Sequence, residues 1–313
     1  MKNKELLHQV KVILAFGAIY IIWGSSFYAN LLALRSFPPF LLSTFRFLIG
    51  GVAILLVCVM RKEPLPTWYE IKRNMIYGIV IFMGAVVTVA WAQQFVSSSL
   101  ASIIITTPFW FVVLDRREWG FYFSNKWIIA GLITGLIGVI LLLGNRQGRV
   151  ATGDETMQLI GILTIIAGSF CWVSASLHIK YNPLRSSSYV NTCIQLLTAG
   201  LICLVISLIR QEPQSLVLNN LKTESIAAIL YLAIISSLIT FMAFMWLIKI
   251  KPAAVVSTYA YVNPVVAVLL GWGFAGEHIS GLQIFALFII LSGVLFVNMP
   301  KYKTVQTMPP STP

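Results

Sequence analysis

The chain has 313 residues, 58% of them hydrophobic and 10% charged, with a formal net charge of +12 and a mean hydropathy of +0.87. Soluble domains carry about 25% charged residues, so this chain lacks the polar surface of a water-soluble protein. Its basic residues fall in short clusters between apolar runs, not in the stripe or stacking platform that nucleic-acid binding requires.

The apolar runs predict ten transmembrane spans, each long enough to cross about 30 Å of hydrocarbon. The first, 12–34, is too long for a cleavable leader and holds Trp23, Ser25 and Ser26. The second, 38–60, holds Arg46. The stretch from Asn74 to Leu114 is uncharged and too long for one span; Gln93, Gln94 and Ser97 to Ser99 divide it into 74–94, with Trp91, and 97–114. The latter carries Ser102, Thr106, Thr107, Pro108 and Trp110. The fifth, 126–144, carries the small-residue face Gly131-x3-Gly135 with Gly138, suited to helix packing or a dimer contact. A linker follows near Asn145 to Thr156. The second half repeats the pattern at 157–178 (Trp172), 187–209 (Gln195), 226–248 (Trp246), 252–275 (Ser257, Thr258, Tyr259, Tyr261, Asn263, Pro264) and 280–299. The tail, 300–313, is rich in Pro and Thr and is expected to be disordered. Cys58, Cys171, Cys193 and Cys203 all sit in apolar runs without ligand spacing, so buried thiols and no metal site are expected.

Of the 22 Lys and Arg, 16 fall at one set of span ends, five at the other, and Arg46 lies within a span. The positive-inside rule then places both termini in the cytoplasm. Ala18-x4-Trp23-x-Ser25 recurs as Ala167-x4-Trp172-x-Ser174, displaced by 149, and Gly51 meets Gly200 at the same displacement. Trp91, Pro108 and Gly138-Val139 meet Trp246, Pro264 and Gly293-Val294 at 155 or 156. Five spans per half is odd, so the expected fold is an all-α membrane protein of ten transmembrane helices arranged as two inverted five-helix repeats, 12–144 and 157–299. Inverted repeats suit a carrier, because the two halves can exchange conformations around a shared cavity.

Arg46 is the most informative residue. It lies about eight residues into its span, roughly 12 Å deep, where an arginine costs about 2.5–3.5 kcal/mol on insertion scales. Its repeat mate is Gln195. It reads either as the counter-charge for an anionic substrate group or as an arginine satisfied by backbone carbonyls at a helix break. Trp23 and Trp172 lie near mid-span, where an indole N–H wants a partner, so they line a cavity or pack. Pro108 and Pro264 read as paired helix breaks beside a site, or as packing kinks. No carboxylate is expected deep in a span, which argues against proton-driven export of cationic drugs.

These residues, with Ala18, Trp23-Gly24-Ser25-Ser26-Phe27, Arg46-Phe47, Pro108, Gly131, Gly138-Val139, Pro264, Gly276-Glu277 and Gly293-Val294, resemble the drug/metabolite transporter superfamily in its EamA-type branch. The resemblance covers residues 12–299. It implies a multi-pass inner-membrane carrier with a central cavity, exporting amino acids or other small metabolites. The sequence departs from it at Asp115-Arg116-Arg117-Glu118, where the first half lacks a Gly-Glu pair, and at Val173, the mate of Gly24.

The expected substrate-binding set is Trp23, Ser25, Ser26, Arg46, Trp91, Thr106, Trp110, Trp172, Tyr259 and Asn263, with Pro108 and Pro264 as hinges. Expected partners are a small zwitterionic or anionic solute, the lipid bilayer and H+ or a counter-solute, with no nucleic acid and no cofactor; the protein acts as a monomer or homodimer. The alternatives are a multidrug or toxic-compound exporter of the same fold, or a membrane scaffold or sensor. No Gly-x4-Gly-Lys-Ser/Thr loop is present, and no acid–base pair, His-Glu-x2-His motif or nucleophile with its base supports an enzyme.

Overall fold

The computed structural model describes residues 2–96, 101, 104–105, 107–144, 155–216, 221–275 and 280–300. Among these it is all-helical, without a strand. In chain order the helices are α1 (Lys2–Leu34), α2 (Pro39–Met60), α3 (Trp68–Ala92), α4 (Thr107–Leu114), α5 (Trp119–Ser124), α6 (Lys126–Gly144), α7 (Glu155–Tyr181), α8 (Ser188–Ile209), α9 (Thr223–Ile250), α10 (Ala253–Val256), α11 (Tyr259–Ala275) and α12 (Gly281–Asn298). Eight described stretches are long and apolar enough to cross a membrane, with Ala253–Leu270, which runs through α10 and α11, counted as one, or nine if α5 and α6, bent by 94° at their junction, form one span. The expected fourth span, 97–114, lies partly outside the described residues, and only Thr107–Leu114 is a described helix of appreciable length. The tail beyond residue 300 and the linker at 145–154 also lie outside them.

Local sequence sets the helix starts. Pro39 opens α2, where its missing N–H costs nothing. Thr67 with Glu70 and Ser280 with Gln283 form capping boxes at α3 and α12. Two carboxylates reach across the chain. Glu212, after α8, accepts from the Leu41 N–H at 2.7 Å at the start of α2. Glu70, at the start of α3, accepts from the Ser186 N–H at 2.7 Å just before α8. Each places negative charge at or near the positive end of a helix dipole in the other half of the chain.

The helices pair through glycines. A Cβ at Gly51 would stand 2.7 Å from Leu197, and one at Gly200 2.7 Å from Leu48; both the glycines and the leucines are displaced by 149. This reciprocal contact brings α2 and α8 together. The predicted small-residue face of α6 packs within the chain: Gly131 and Gly135 meet Gly293 of α12 backbone to backbone, and Gly138 meets Ile290. Close approach of this kind drives helix association in lipid.

Two features were invisible to hydropathy. The centres of α3 and α9 are π-helical, over Ile79–Val87 and Tyr231–Thr240. The expected ninth span is broken at Ser257 and Thr258, between α10 and α11, and Pro264 sits six residues into α11. Pro108 is the second residue of α4, so it starts that helix and does not kink it. The two prolines are therefore not equivalent breaks.

Candidate functional site

The described span ends near residues 11, 61, 116, 180 and 250 carry most of the Lys and Arg and form the basic end of the helices. The main cavity encloses about 760 Å³, its open mouth included. Its walls come mostly from mid-helix and from the opposite end: Trp23, Ser26, Phe27 and Asn30 of α1, Arg46 of α2, residues of α3 between Phe82 and Val89, Gly168, Ser169 and Trp172 of α7, Ser236, Ser237 and Phe241 of α9, and Tyr259 and Asn263 of α11. Both π-helical segments contribute to it. Such segments widen a helix by one residue per turn and favour functional sites.

Arg46 is 5% exposed. Its Nε donates to Ser237 Oγ at 2.6 Å. The terminal nitrogens reach Asn30 Oδ1 and Ser236 Oγ at a long 3.4 Å each. The guanidinium carbon stands 5.6 Å from the Phe47 ring centre. All these hydrogen-bond partners are neutral side chains, and no described carboxylate pairs with it. Its described partners are side chains and not backbone carbonyls; the group is oriented, and no described residue neutralises its charge.

The rest of the wall is apolar and aromatic with a few directed polar groups. Trp23 and Trp172, the repeat mates, meet edge to face at 5.3 Å. Trp23 also meets Tyr259 at 4.8 Å, and Trp172 meets Phe244 at 5.2 Å. The Trp23 indole donates to the Ser236 carbonyl at 3.3 Å. The Trp172 Nε1 and the Asn263 Oδ1 are buried without a hydrogen-bond partner. A buried donor and a buried acceptor left unpaired each cost about 1–3 kcal/mol, so both invite a ligand or water.

The ring cluster lies on the basic-end side of Arg46. Nearer that end, the buried Asp115 carboxylate accepts from the Tyr122 hydroxyl at 3.0 Å and from the Tyr181 hydroxyl. Lys180 stands 4.0 Å away, with both side chains at most 4% exposed. Asp115 terminates α4, Lys180 and Tyr181 terminate α7, and Tyr122 belongs to α5, so one carboxylate ties three elements. Removing it strands a buried ammonium. Asp115→Ala is expected to cost about 3–5 kcal/mol, read as a lower unfolding temperature in detergent.

Of the expected site residues, Trp23, Ser26, Arg46, Trp172, Tyr259 and Asn263 meet at the cavity. Ser25, Trp91 and Trp110 are not among its described walls. Ser25 turns away to the Tyr231 hydroxyl at 2.6 Å, Trp91 packs on Phe95, and Trp110 packs on Phe109 and Phe170. Thr106 and the Gly276-Glu277 pair lie outside the described residues. Asn30, Ser236 and Ser237 were missed; the only signal was a pair of serines in an otherwise apolar span.

The pattern that defines the EamA-like transporter family matches residues 10–144 and again residues 159–299. The chain belongs to the EamA-like transporter family. It is 32% identical over 292 residues to the inner membrane transporter YedA of Escherichia coli (strain K12), covering 92% of this chain and 90% of that protein. It is 24% identical to the transporter YdfC of Bacillus subtilis (strain 168), over 93% and 92% of the two chains. It is 25% identical to the chloroplastic WAT1-related protein At3g02690 of Arabidopsis thaliana, over 90% and 68%. A crystal structure at 20% identity superposes with a TM-score of 0.72, covering 91% of this chain and 95% of that one, and so shares the fold. This EamA-like protein is a multi-pass inner-membrane transporter.

Proposed function

We propose that this EamA-like protein is a secondary carrier that exports a small zwitterionic or anionic organic solute, amino-acid-like in chemistry, by alternating access. One observation carries this reading: Arg46 lies buried in a largely apolar cavity, and its partners among the described residues are all neutral. A buried cation without its own anion is a receptor for one. The unpartnered Asn263 Oδ1 supplies an acceptor for an N–H donor on the same solute, and the Trp23–Trp172–Tyr259 rings supply an apolar wall that also favours an ammonium.

The mechanism follows from two inverted five-helix repeats, 12–144 and 157–299, with ten spans in all. The reciprocal Gly51–Leu197 and Gly200–Leu48 contacts and the paired π-helical segments support that arrangement. The walls reach toward the end opposite the basic one, while rings and the Asp115 cluster fill the path behind them. With the termini in the cytoplasm, this is an outward-facing state. The solute binds as the guanidinium and the solute's anionic group desolvate together, and rocking of the halves reopens the path on the other side. The counter-charge role of Arg46, unlike a role for bulk hydrophobicity, predicts a strict chemical requirement. Titration of the purified protein with L-leucine, leucinol and N-acetyl-L-leucine, followed calorimetrically, should give heat with leucine, weaker binding of N-acetyl-leucine and none with leucinol. Equal binding of leucinol and leucine would remove the role of Arg46. A cationic-drug exporter of the same fold would show the reverse preference.

A further inference from the structure

A second cavity, of about 390 Å³ with its mouth included, lies at the basic end. Its polar walls are Asn74 and Tyr77 of α3, Asn182 just after α7, Ser188, Asn191, Thr192 and Gln195 of α8, and Lys249 of α9. It flanks the ring cluster on the side away from the main cavity. Ile179 in its wall is two helical turns beyond Trp172, and Lys249 is just over one turn beyond Phe244.

Two of its groups lack partners. Gln195 is 4% exposed; its Nε2 donates to Asn74 Oδ1 at 2.8 Å, while its Oε1 has no partner. The amide orientation is fixed by the network. Asn74 Nδ2 is committed to the Glu70 carbonyl and to Asn191 Oδ1, and Asn191 Nδ2 to the Ser186 carbonyl. Asn74 thus offers only an acceptor to Gln195, which must turn its oxygen the other way. Lys249 pairs with no described carboxylate. The cavity therefore presents an uncompensated cation and a buried amide oxygen. The main cavity presents the same two groups, in Arg46 and the Asn263 Oδ1. Gln195 also stands at the repeat position of Arg46.

We propose that this cavity is a second binding station on the transport path, in which Lys249 takes the carboxylate and the Gln195 Oε1 takes the ammonium of a zwitterionic solute. The proposal rests on the carrier reading above and adds to it a site specific to the basic end. In the state seen here the station is too narrow for an amino acid, so the proposal requires it to widen as the path opens at the basic end.

The test uses the full chain in phosphatidylcholine liposomes of single orientation, where no primary-amine lipid headgroup competes. Labelled L-leucine is presented at each face in turn. Lys249→Gln is expected to raise the half-saturating concentration at the basic face about tenfold, the cost of one charge-assisted hydrogen bond, and to leave it unchanged at the opposite face. Lys249→Arg should restore it. Wild-type flux that saturates, combined with a Lys249→Gln change equal at both faces or confined to the maximal rate, would overturn the proposal and leave the carrier reading standing. Wild-type protein without saturable flux of leucine or of any other amino acid in a labelled pool would overturn both, and that result appears before any variant is made.

Discussion

Arg46→Gln raises the half-saturating concentration of a carboxylate-bearing solute at the face opposite the basic end by about tenfold to a hundredfold, with folded protein retained. The range follows from losing a charged, bidentate-capable donor in a dry site, worth about 1.5–3 kcal/mol. The protein should fold because the partners left behind, Ser236, Ser237 and Asn30, are neutral. Among the described residues no buried counter-ion is abandoned, which distinguishes this arginine from a structural ion pair. An uncharged analogue of the same solute should bind the variant and the wild type alike. Flux assays with both compounds, alongside size-exclusion profiles, separate the two effects; equal affinity for the carboxylate in wild type and variant would mean that Arg46 does not meet it.

Gly293→Ala is expected to be the most damaging single-methyl addition among the described glycines. Its Cβ would stand 2.5 Å from the Gly135 nitrogen and 2.7 Å from its Cα. Both are backbone atoms of α6, so no side chain can rotate away, and α12 must separate from α6 along its length. Overpacking of this kind costs about 1–3 kcal/mol, and loss of close backbone contact adds to it. The expected readout is a lower unfolding temperature and less monodisperse protein. Gly273→Ala, where no atom lies within 4 Å, is the control and should leave both unchanged. Equal behaviour of the two variants would show that α6 and α12 do not pack through these glycines.

Hydropathy, charge and repeat offsets made much of this protein legible. Most span bounds needed only lengths and polar interruptions, because apolar runs in a bilayer must be helical. Arg46 stood out because a buried charge is expensive, and Trp23 and Trp172 because an indole N–H near mid-span wants a partner. Other features had no such signature. A π-helical turn in an apolar stretch such as Ile79–Val87 leaves no mark in a pattern that is apolar on every face. The break at Ser257 and Thr258 falls before Pro264, because hydroxyls that bond the Ala254 and Val255 carbonyls can end a helix without a proline. Asp115 follows the last residue of the expected fourth span, so it reads as a span-end residue. It is that, but it is also 1% exposed, because α5, at 94° to α6, brings Tyr122 over it. Trp91 and Trp110 do not line the described cavity, because rotation about the helix axis, which a position along the sequence does not define, turns Trp91 onto Phe95 and Trp110 onto Phe109 and Phe170.

The central claim is that the protein moves a small charged solute through the cavity at Arg46. It is tested most directly by uptake and efflux of pooled labelled amino acids in proteoliposomes, with imposed pH and voltage gradients. Saturable flux, competed by unlabelled ligand and lost at the same concentration in Arg46→Gln, is the expected result, and its response to the gradients identifies the coupling. Flux no greater than in empty liposomes, from protein shown to be folded, would contradict the assignment to amino-acid-like solutes.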